Sequence, residues 1–161
     1  SATPIQIINS FSVVANGGFL LKPKIVKKEI CGDNAKVKEE ERQRRVISQK
    51  TVADITDFLE AVVNYGTGAQ AKVQGIRVAG KTGTAQKFDR ELNRYSSKRY
   101  TASFAGFLPA DNPKATILVM VDEPKGDYWA SSVAAPVFSR IASNIAGYLN
   151  INSGRTDIVL K

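Results

Sequence analysis

Three β-rich segments follow one another in the second half of the chain, with no helical pattern between them. They span residues 76–86, 100–108 and 115–123, and the last is the most continuous apolar run. Residues 109–113, Pro-Ala-Asp-Asn-Pro, have the composition of a turn. If neighbouring strands were parallel, a long crossover segment, commonly a helix, would have to connect them. The sequence therefore predicts an antiparallel meander in which Thr116 to Val121 is a central strand covered on both faces.

The first helix is marked at both of its ends. Thr3-Pro4-Ile5-Gln6 forms a capping box, with Thr3 at the N-cap and Pro4 at the first helical position. The Asn-Gly-Gly of residues 16–18 ends the helix, because glycine tolerates the left-handed conformation found there. Between these ends the apolar residues recur at helical spacing: Ile7, Ile8, Phe11, Val14 and Ala15.

Two further helices are predicted. One begins at Ser48 and ends at Gly66 or Gly68, and its apolar stripe consists of Val52, Ile55, Leu59, Val62 and Val63. The other runs from about Val133 to Leu149, and its apolar face consists of Ala134, Val137, Phe138, Ile141, Ile145, Tyr148 and Leu149. The elements together predict an α+β fold in which the sheet packs against the terminal helix and the earlier helices cover its other side.

The connecting segments are polar. Residues 19–30 are expected to be extended in short pieces, and residues 31–45 to form a surface hairpin or loop with solvated charges. Residues 87–99, with five basic and two acidic residues, are expected to be a mobile excursion. Residues 1–150 are expected to form the folded unit and residues 151–161 a polar tail.

The composition excludes several classes of catalytic and metal-binding site. The 161 residues contain no histidine and one cysteine, Cys31, which excludes His-based triads, His metal sites, an internal disulfide and Cys-cluster metal sites. The net charge of +8 fits either a solvated surface or an anionic partner, but no nucleic-acid-binding pattern is present. No apolar run approaches the ~20 residues of a membrane span. Because the chain opens without Met at a helix start, we expect a piece of a longer protein.

One stretch matches a phosphate-binding pattern. Gly75 to Thr82 fits the P-loop, and Ile117 to Val121 followed by Asp122-Glu123 resembles its Mg²⁺-binding partner strand. A P-loop wraps phosphate between a strand and a helix N-terminus. Here the would-be loop has a strand sequence, and residues 83–86 show no amphipathic helix. A P-loop NTPase fragment is therefore kept only as a minor alternative.

The tetrad Lys81-Thr82-Gly83-Thr84 has a second interpretation, as a strand that lines a cleft. Such a strand offers one ammonium, two hydroxyls and an exposed backbone edge, a combination that suits a substrate carboxylate. An extended peptide could add along that edge as another strand. Gly83 has no side chain, which would let a ligand approach the strand closely. The tetrad alone, being only four residues, favours a Lys-Thr surface strand that has a bulge at Gly83.

The tetrad lies in a longer stretch, residues 78–86, that resembles the third active-site motif of class B penicillin-binding proteins, the D,D-transpeptidases that cross-link peptidoglycan. Segments 3–18, 102–111, 121–124 and 134–138 resemble further parts of that family, in order. The resemblance implies the C-terminal portion of a transpeptidase domain with the penicillin-binding-protein/β-lactamase-like fold. That fold has a five-stranded sheet, whose two earliest strands would lie upstream, so part of the core should be exposed.

The family's nucleophile lies in a Ser-x-x-Lys motif and a second motif reads Ser-x-Asn. No serine of this chain has lysine three residues later or asparagine two residues later. The resemblance thus implies a serine-type D,D-transpeptidase whose nucleophile is outside this chain, and we expect the chain alone to be inactive. The alternative is a non-catalytic β-lactam-sensor-like or scaffolding module of the same fold.

The resemblance also assigns roles within the tetrad. Lys81 would bind the terminal carboxylate of a D-Ala-D-Ala stem peptide or of a β-lactam, and would assist proton transfer. The Thr82 and Thr84 hydroxyls would bind the same carboxylate beside Gly83, and the Thr84 backbone N–H would be half of an oxyanion hole. No metal or organic cofactor is implied, and residues 87–99 either guide an acidic substrate or form a solvated loop.

The implied partners are the upstream part of the same domain, the peptidoglycan stem peptide, β-lactam antibiotics and a cell-wall synthesis complex. The implied location is the extracytoplasmic, periplasmic face of the bacterial cell envelope. There the parent protein would be anchored by an N-terminal transmembrane helix outside this sequence.

Overall fold

The computed structural model describes residues 2–26, 28–31, 34–37 and 42–151. No helix within these ranges is long and apolar enough to cross a bilayer. A 3₁₀ turn spans Ala69–Ala71. The other elements, in chain order, are α1 Pro4–Ala15, β1 Phe19–Leu21, β2 Lys28–Cys31, β3 Asn34–Val37, β4 Arg42–Arg45, α2 Gln49–Tyr65, β5 Ala79–Asp89, β6 Arg94–Leu108, β7 Ala115–Asp122, α3 Ala130–Val133 and α4 Ala135–Tyr148.

The predicted antiparallel meander is present as a three-stranded sheet in the order β5-β6-β7. The α+β prediction is confirmed, but β6 is the central strand and β7 lies at an edge. The apolar run of β7 predicted burial on both faces, yet Met120 is 41% exposed. Its neighbour Val119 is buried on the side of α4. Strand β5 begins at Ala79, three residues later than predicted, because Ile76 only forms an isolated bridge with Val73.

One face of the sheet packs against α3 and α4. Phe104 of β6 is fully buried there, and its ring centroid lies 4.7 Å from that of Phe138 in α4. Gly80 and Gly106 lie directly opposite each other on β5 and β6. A Cβ at Gly80 would lie 2.6 Å from the Phe104 ring. The ring therefore fills space that any larger residue at this position would need.

The opposite face packs against the earlier helices, as predicted. Phe107 of β6 is buried in a small cluster with Phe11 and Val14 of α1 and Leu59 of α2. Helix α2 also contributes Val63 to the larger core on the α4 side, so it lies against both clusters. This arrangement holds the start of β5 between two packed layers.

The predicted ends of the first two helices are confirmed. Thr3 and Gln6 form the reciprocal capping box, in which the Thr3 backbone N–H donates to Gln6 Oε1 at 2.8 Å. The Ser48 hydroxyl accepts the Thr51 backbone N–H at 3.0 Å at the start of α2, and Gly66 is its C-cap. These ends were predictable because each depends only on residues within one turn.

The terminal helix differs from the prediction in its buried face. It is divided at Ala134 into α3 and α4. Ile141 and Tyr148, predicted to face the core, are 39% and 87% exposed. The residues of α4 that are buried are Ala135, Phe138, Ala142 and Ala146. Small side chains let the helix backbone approach the aromatic sheet face, so packing selects alanines over larger apolar residues.

The segment between α1 and α2 forms two small antiparallel pairs, β1 with β4 and β2 with β3. The predicted surface hairpin is thus present, and Cys31 in it is exposed. Residues 24–26, predicted to be extended, are not in a strand. Residue 27, the acidic run 39–41 and the tail from residue 152 lie outside the described residues. Arg45 is more than a solvated charge, because its Nη1 donates to the Gly17 carbonyl at 2.7 Å.

Residues 87–99 are not an irregular excursion. Strands β5 and β6 continue through them, with Phe88 opposite Tyr95 and Asp89 opposite Arg94. The Phe88 and Tyr95 rings meet edge to face, with their centroids 5.5 Å apart, and Arg99 Nη2 donates to Asp89 Oδ2 at 2.6 Å. These cross-strand contacts stabilise a hairpin that the polar composition of residues 87–99 did not indicate.

Candidate functional site

The predicted tetrad lies on β5, which pairs on one side with β6 and on its other side with no described strand. Lys81 is exposed, and its Nζ donates to the Thr82 carbonyl at 2.9 Å and to the Thr82 hydroxyl at 3.1 Å. The structure therefore brings an ammonium and a hydroxyl together at an open strand edge. An anion placed there would meet both donors.

The minor alternative of a P-loop is wrong for these residues. Lys81 and Thr82 lie inside the extended β5, which continues to Asp89 without a helix after the motif. A phosphate cradle needs backbone N–H groups that converge at a helix N-terminus, and a paired strand does not provide them. Among the described residues no group of three or more Cys, Asp or Glu side chains is arranged to hold a metal ion.

Thr67 is a residue of the site that the sequence interpretation missed. Its hydroxyl lies 2.7 Å from the Thr82 hydroxyl, and it stands in the turn after α2 between Gly66 and Gly68. A Cβ at Gly68 would lie 3.3 Å from the Phe104 ring, so the turn passes close to the sheet. The only sequence signal for Thr67 is its position between two glycines.

Thr84 is fixed by a contact from the other end of the chain. Its Oγ1 accepts the backbone N–H of Ala130, at the start of α3, at 3.2 Å. The hydroxyl is used there as an acceptor, so its own proton remains available to donate to an anion. Thr82 and Thr84 lie on the α3 and α4 side of β5, whereas Lys81 and Gly83 alternate with them on the other face.

Two hydrogen bonds define which way the backbone of the tetrad points. The Gly83 carbonyl accepts the hydroxyl of Ser103, the residue opposite it on β6, at 3.3 Å. The Thr82 carbonyl instead accepts from Lys81 Nζ. Because the backbone groups of successive strand residues point to alternate edges, these bonds indicate that Thr82 and Thr84 direct their N–H and C=O groups to the open edge.

Gly83 is constrained by the neighbouring strand. A Cβ there would lie 2.7 Å from the Ser103 Oγ, so a side chain would displace that hydroxyl. The register is continuous from Ala79 to Gln86, and the irregularity lies between Gln86 and Phe88. The alternative of a bulge at Gly83 is therefore wrong, since the tetrad belongs to a regular stretch of strand.

Aromatic residues stack next to α3, the helix whose Ala130 contacts Thr84. The Tyr100 and Tyr128 rings are stacked, with centroids 4.1 Å apart, and Trp129 follows with a centroid 5.0 Å from Tyr128. Asp127 Oδ1 accepts the Trp129 backbone N–H at 3.0 Å, and this bond lowers the pKa of the Asp127 carboxyl. The turn before α3 is thus ordered by its own hydrogen bonds and by stacking.

An ion-pair cluster crosses the sheet near the site. Lys87 Nζ lies 2.7 Å from Glu123 Oε1 and 2.9 Å from Asp122 Oδ2, and the Thr101 hydroxyl donates to Asp122 Oδ1 at 2.9 Å. The bond to Glu123, followed by that to Asp122, raises the pKa of Lys87, and the Lys87 ammonium lowers the pKa of Asp122. Part of the positive charge of residues 87–99 is therefore neutralised locally.

A family model described as the penicillin binding protein transpeptidase domain matches residues 1–143. Stage V sporulation protein D of Bacillus subtilis is 38% identical over 165 residues, which cover 100% of this chain and 25% of the relative. PbpB, a penicillin-binding protein of Mycolicibacterium smegmatis, is 40% identical over 154 residues, covering 89% of this chain and 24% of the relative. The chain thus spans about a quarter of the length of these relatives.

Solved structures show the same likeness. Penicillin binding protein 3 of Mycobacterium tuberculosis, complexed with aztreonam, superposes with a TM-score of 0.84 at 32% identity, covering 93% of this chain and 36% of that one. The transpeptidase domain of Burkholderia pseudomallei penicillin-binding protein 3 gives a TM-score of 0.77 at 33% identity, covering 92% of this chain and 43% of that one.

Proposed function

Because the chain belongs to the penicillin-binding protein transpeptidase domain family, we propose that it is the C-terminal portion of a peptidoglycan D,D-transpeptidase domain and that β5 is one wall of the substrate cleft. The observation that carries the proposal is the Lys81 ammonium held 3.1 Å from the Thr82 hydroxyl on the open edge of β5. A relative of the same family is named a probable peptidoglycan D,D-transpeptidase in Caulobacter vibrioides, at 33% identity over 172 residues.

The tetrad would bind the C-terminal carboxylate of a D-Ala-D-Ala stem peptide. Lys81 supplies the charge, and the Thr82 hydroxyl, now in contact with both Lys81 and Thr67, supplies a hydrogen bond. Thr84 keeps its hydroxyl proton free because its oxygen accepts from Ala130. Charge-assisted hydrogen bonds of this kind are about twice as strong as neutral ones.

The Thr84 backbone N–H would bind the oxygen of the scissile carbonyl. A serine hydroxyl outside this chain attacks that carbonyl carbon, and its proton passes to the terminal D-Ala amine as the C–N bond breaks and D-Ala leaves. An amine of a neighbouring stem peptide then attacks the resulting ester, which forms the cross-link and restores the serine. One oxyanion donor is worth roughly 10²–10³ in rate.

The nucleophile would come from the upstream part of the same domain. Lys81 lies on the sheet face opposite α3 and α4, which it shares with Ser103 and with the exposed Met120. A segment that covers the part of this face that α1 and α2 leave open would bring its serine to Lys81 and bury the apolar residues left exposed. We therefore expect the chain alone neither to be acylated nor to turn over substrate.

β-Lactams are proposed as inhibitors of the whole protein. The Mycobacterium tuberculosis penicillin binding protein 3 structures are described as complexes with aztreonam and with ampicillin. A β-lactam carries a carboxylate beside a reactive carbonyl, so the same Lys81, Thr82 and Thr84 groups would bind it. We place the whole protein at the periplasmic face of the cell envelope, in a cell-wall synthesis complex, anchored by a transmembrane helix outside this sequence.

The test uses a labelled penicillin on the full-length protein and on its Lys81→Ala variant. Loss of a charged hydrogen bond predicts labelling that is slower by roughly 10- to 100-fold. Lys50→Ala is a matched control, because this exposed lysine lies in the first turn of α2. Equal labelling rates for Lys81→Ala and the parent protein would overturn the proposal.

Release of D-Ala separates the enzyme from a non-catalytic sensor of the same fold. A transpeptidase releases D-Ala from a stem pentapeptide when an acceptor amine is present, whereas a sensor is labelled by penicillin but releases no D-Ala. The assay measures free D-Ala over time with the full-length protein.

A further inference from the structure

The proposed cleft fixes the direction in which a donor peptide passes β5. With the terminal carboxylate at Lys81 and Thr82 and the scissile carbonyl at the Thr84 N–H, the remainder of the peptide runs towards higher residue numbers. The outer edge of β5 stays open in that direction as far as Asp89, within the described part of the chain. The peptide can therefore continue as an added strand.

The length of the peptide predicts where its other end lies. Phe88 is four residues beyond Thr84, which corresponds to about 13 Å of strand. The four stem residues that precede the scissile bond span about the same length when extended. In peptidoglycan the N-terminus of the stem is joined through a lactyl group to an amino sugar. That sugar would reach the tip of the β5–β6 hairpin.

A groove with a volume of about 360 Å³ lies at that tip, within the range of small-molecule sites. Tyr95 and Leu92 line it and are 66% and 60% exposed. The Tyr95 ring is held edge to face by Phe88, with an interplanar angle of 80°. A supported but exposed aromatic ring suits the apolar face of a sugar, and the Tyr hydroxyl can bond to its polar groups.

The charges around the groove are of two kinds. Both oxygens of the Asp89 carboxylate are hydrogen-bonded, because they accept the backbone N–H groups of Leu92 and Glu91 and the Arg99 guanidinium, and these bonds lower the pKa of the carboxyl. Arg94 and Lys98 also line the groove and make no side-chain hydrogen bond or ion pair within the described residues. The free groups are thus cationic, as needed next to a stem peptide that carries carboxylates.

We infer that this groove binds the sugar-bearing end of the donor strand, with Tyr95 stacked on the amino sugar and Arg94 and Lys98 facing stem carboxylates. The inference rests on the proposed function, since it uses the carboxylate position at Lys81. It makes residues 87–99 a part of the substrate site that distinguishes a glycan-linked donor from a free peptide.

The experiment compares two donors of the full-length protein. One is a pentapeptide that ends in D-Ala-D-Ala, and the other is the same peptide linked through a lactyl group to an N-acetylated amino sugar. We expect kcat/KM for D-Ala release to favour the sugar-linked donor. Tyr95→Ser should reduce this preference roughly three- to tenfold, and Tyr95→Phe should retain most of it. Tyr148→Ser, at an 87% exposed tyrosine of α4, is the matched control and should leave the preference unchanged.

Arg94→Gln gives a second measurement that does not remove the aromatic contact. It should raise KM for the sugar-linked donor more than it changes kcat. An equal kcat/KM for the two donors in the parent protein would overturn the inference while penicillin labelling still supported the proposed function. A preference that survives in both Tyr95→Ser and Arg94→Gln would overturn it as well. Absence of penicillin labelling and of D-Ala release from either donor would overturn the proposed function, and this inference with it.

Discussion

Arg77 and Glu60 form a two-pronged ion pair that ties the entry of β5 to α2. Arg77 Nε donates to Glu60 Oε1 at 2.9 Å and Nη2 donates to Oε2 at 2.5 Å. Glu60 is buried, whereas Arg77 is largely exposed. Arg77 stands two residues before β5 begins, so the ion pair fixes the start of β5 against α2.

Replacing Arg77 by alanine is expected to destabilise the protein by about 1–3 kcal/mol, because the buried Glu60 carboxylate would lose both of its donors. The measurement is the urea midpoint of the full-length protein. Arg140→Ala, which changes a mostly exposed arginine of α4, is the control. The double change Arg77→Met with Glu60→Leu should recover much of the loss, and failure to do so would argue against this origin.

Gly80→Ala should destabilise by about 1–3 kcal/mol, since the new Cβ would overlap the buried Phe104 ring. Gly147→Ala in α4 is the matched control, because nothing lies within 4 Å of its Cβ position. Alanine in a helix should instead stabilise by about 0.5–1 kcal/mol. Thermal unfolding of both variants would show shifts of opposite sign, and shifts of the same sign would contradict the packing argument.

Asp122 predicts a loss of stability in acid. Its pKa is lowered in the folded state by Lys87 and Thr101, so its contribution is complete above the unfolded pKa of about 3.9 and is lost as the pH falls through the lower folded value. Asp122→Asn should therefore reduce the fall in melting temperature between pH 5 and pH 2. The effect should shrink at 1 M salt, because the pair is exposed. If Asp122→Asn left the dependence of the melting temperature on acid pH unchanged, the prediction would be contradicted.

Lys87 predicts a loss of stability at alkaline pH. Its pKa is raised by Glu123 and Asp122, so its contribution is complete below the unfolded pKa of about 10.4 and is lost as the pH rises through the higher folded value. Lys87→Met should remove this alkaline dependence, as judged by melting temperatures from pH 9 to pH 11.5. Lys114→Met, whose lysine lies in the turn before β7, should leave it unchanged.

Thr67 is expected to act as a positioning residue for Thr82. Thr67→Val removes the 2.7 Å contact between their hydroxyls, whereas Thr67→Ser keeps it. A lost hydrogen bond of this type predicts a three- to tenfold rise, roughly, in KM for the stem peptide with little change in kcat. Equal kinetics for the valine and serine variants would show that the contact has no part in binding.

The features that the sequence predicted well are the ones encoded locally. Thr3 and Gln6 cap each other within one turn, and the tetrad lies in a strand whose extended character is visible in its own residues. The features that it predicted poorly depend on distant partners. Ile141 is exposed because the sheet selects the alanine face of α4, and Met120 is exposed because α1 and α2 cover its sheet face around Phe107 and leave Met120 uncovered.

The same distinction holds for the candidate site. The Lys81 ammonium and the Thr82 hydroxyl lie together because the two residues are neighbours in one strand. Thr67 contacts Thr82 across 15 positions, and Ala130 contacts Thr84 across 46. No periodicity or short motif specifies contacts of that range, since they arise from the way in which α2 and α3 pack on the sheet. The hairpin contact of Phe88 with Tyr95 was missed for a related reason, because its pairing is visible only once the strands align.

The side of β5 that no described strand occupies also affects how copies of this chain behave towards one another. An unpaired strand is a template for pairing with the same strand of another molecule. Lys81 projects from this strand, and the chain carries a net charge of +8, so two copies that approached through it would repel each other. The ammonium proposed to hold a carboxylate would thus also oppose pairing between the β5 strands of two copies of this chain.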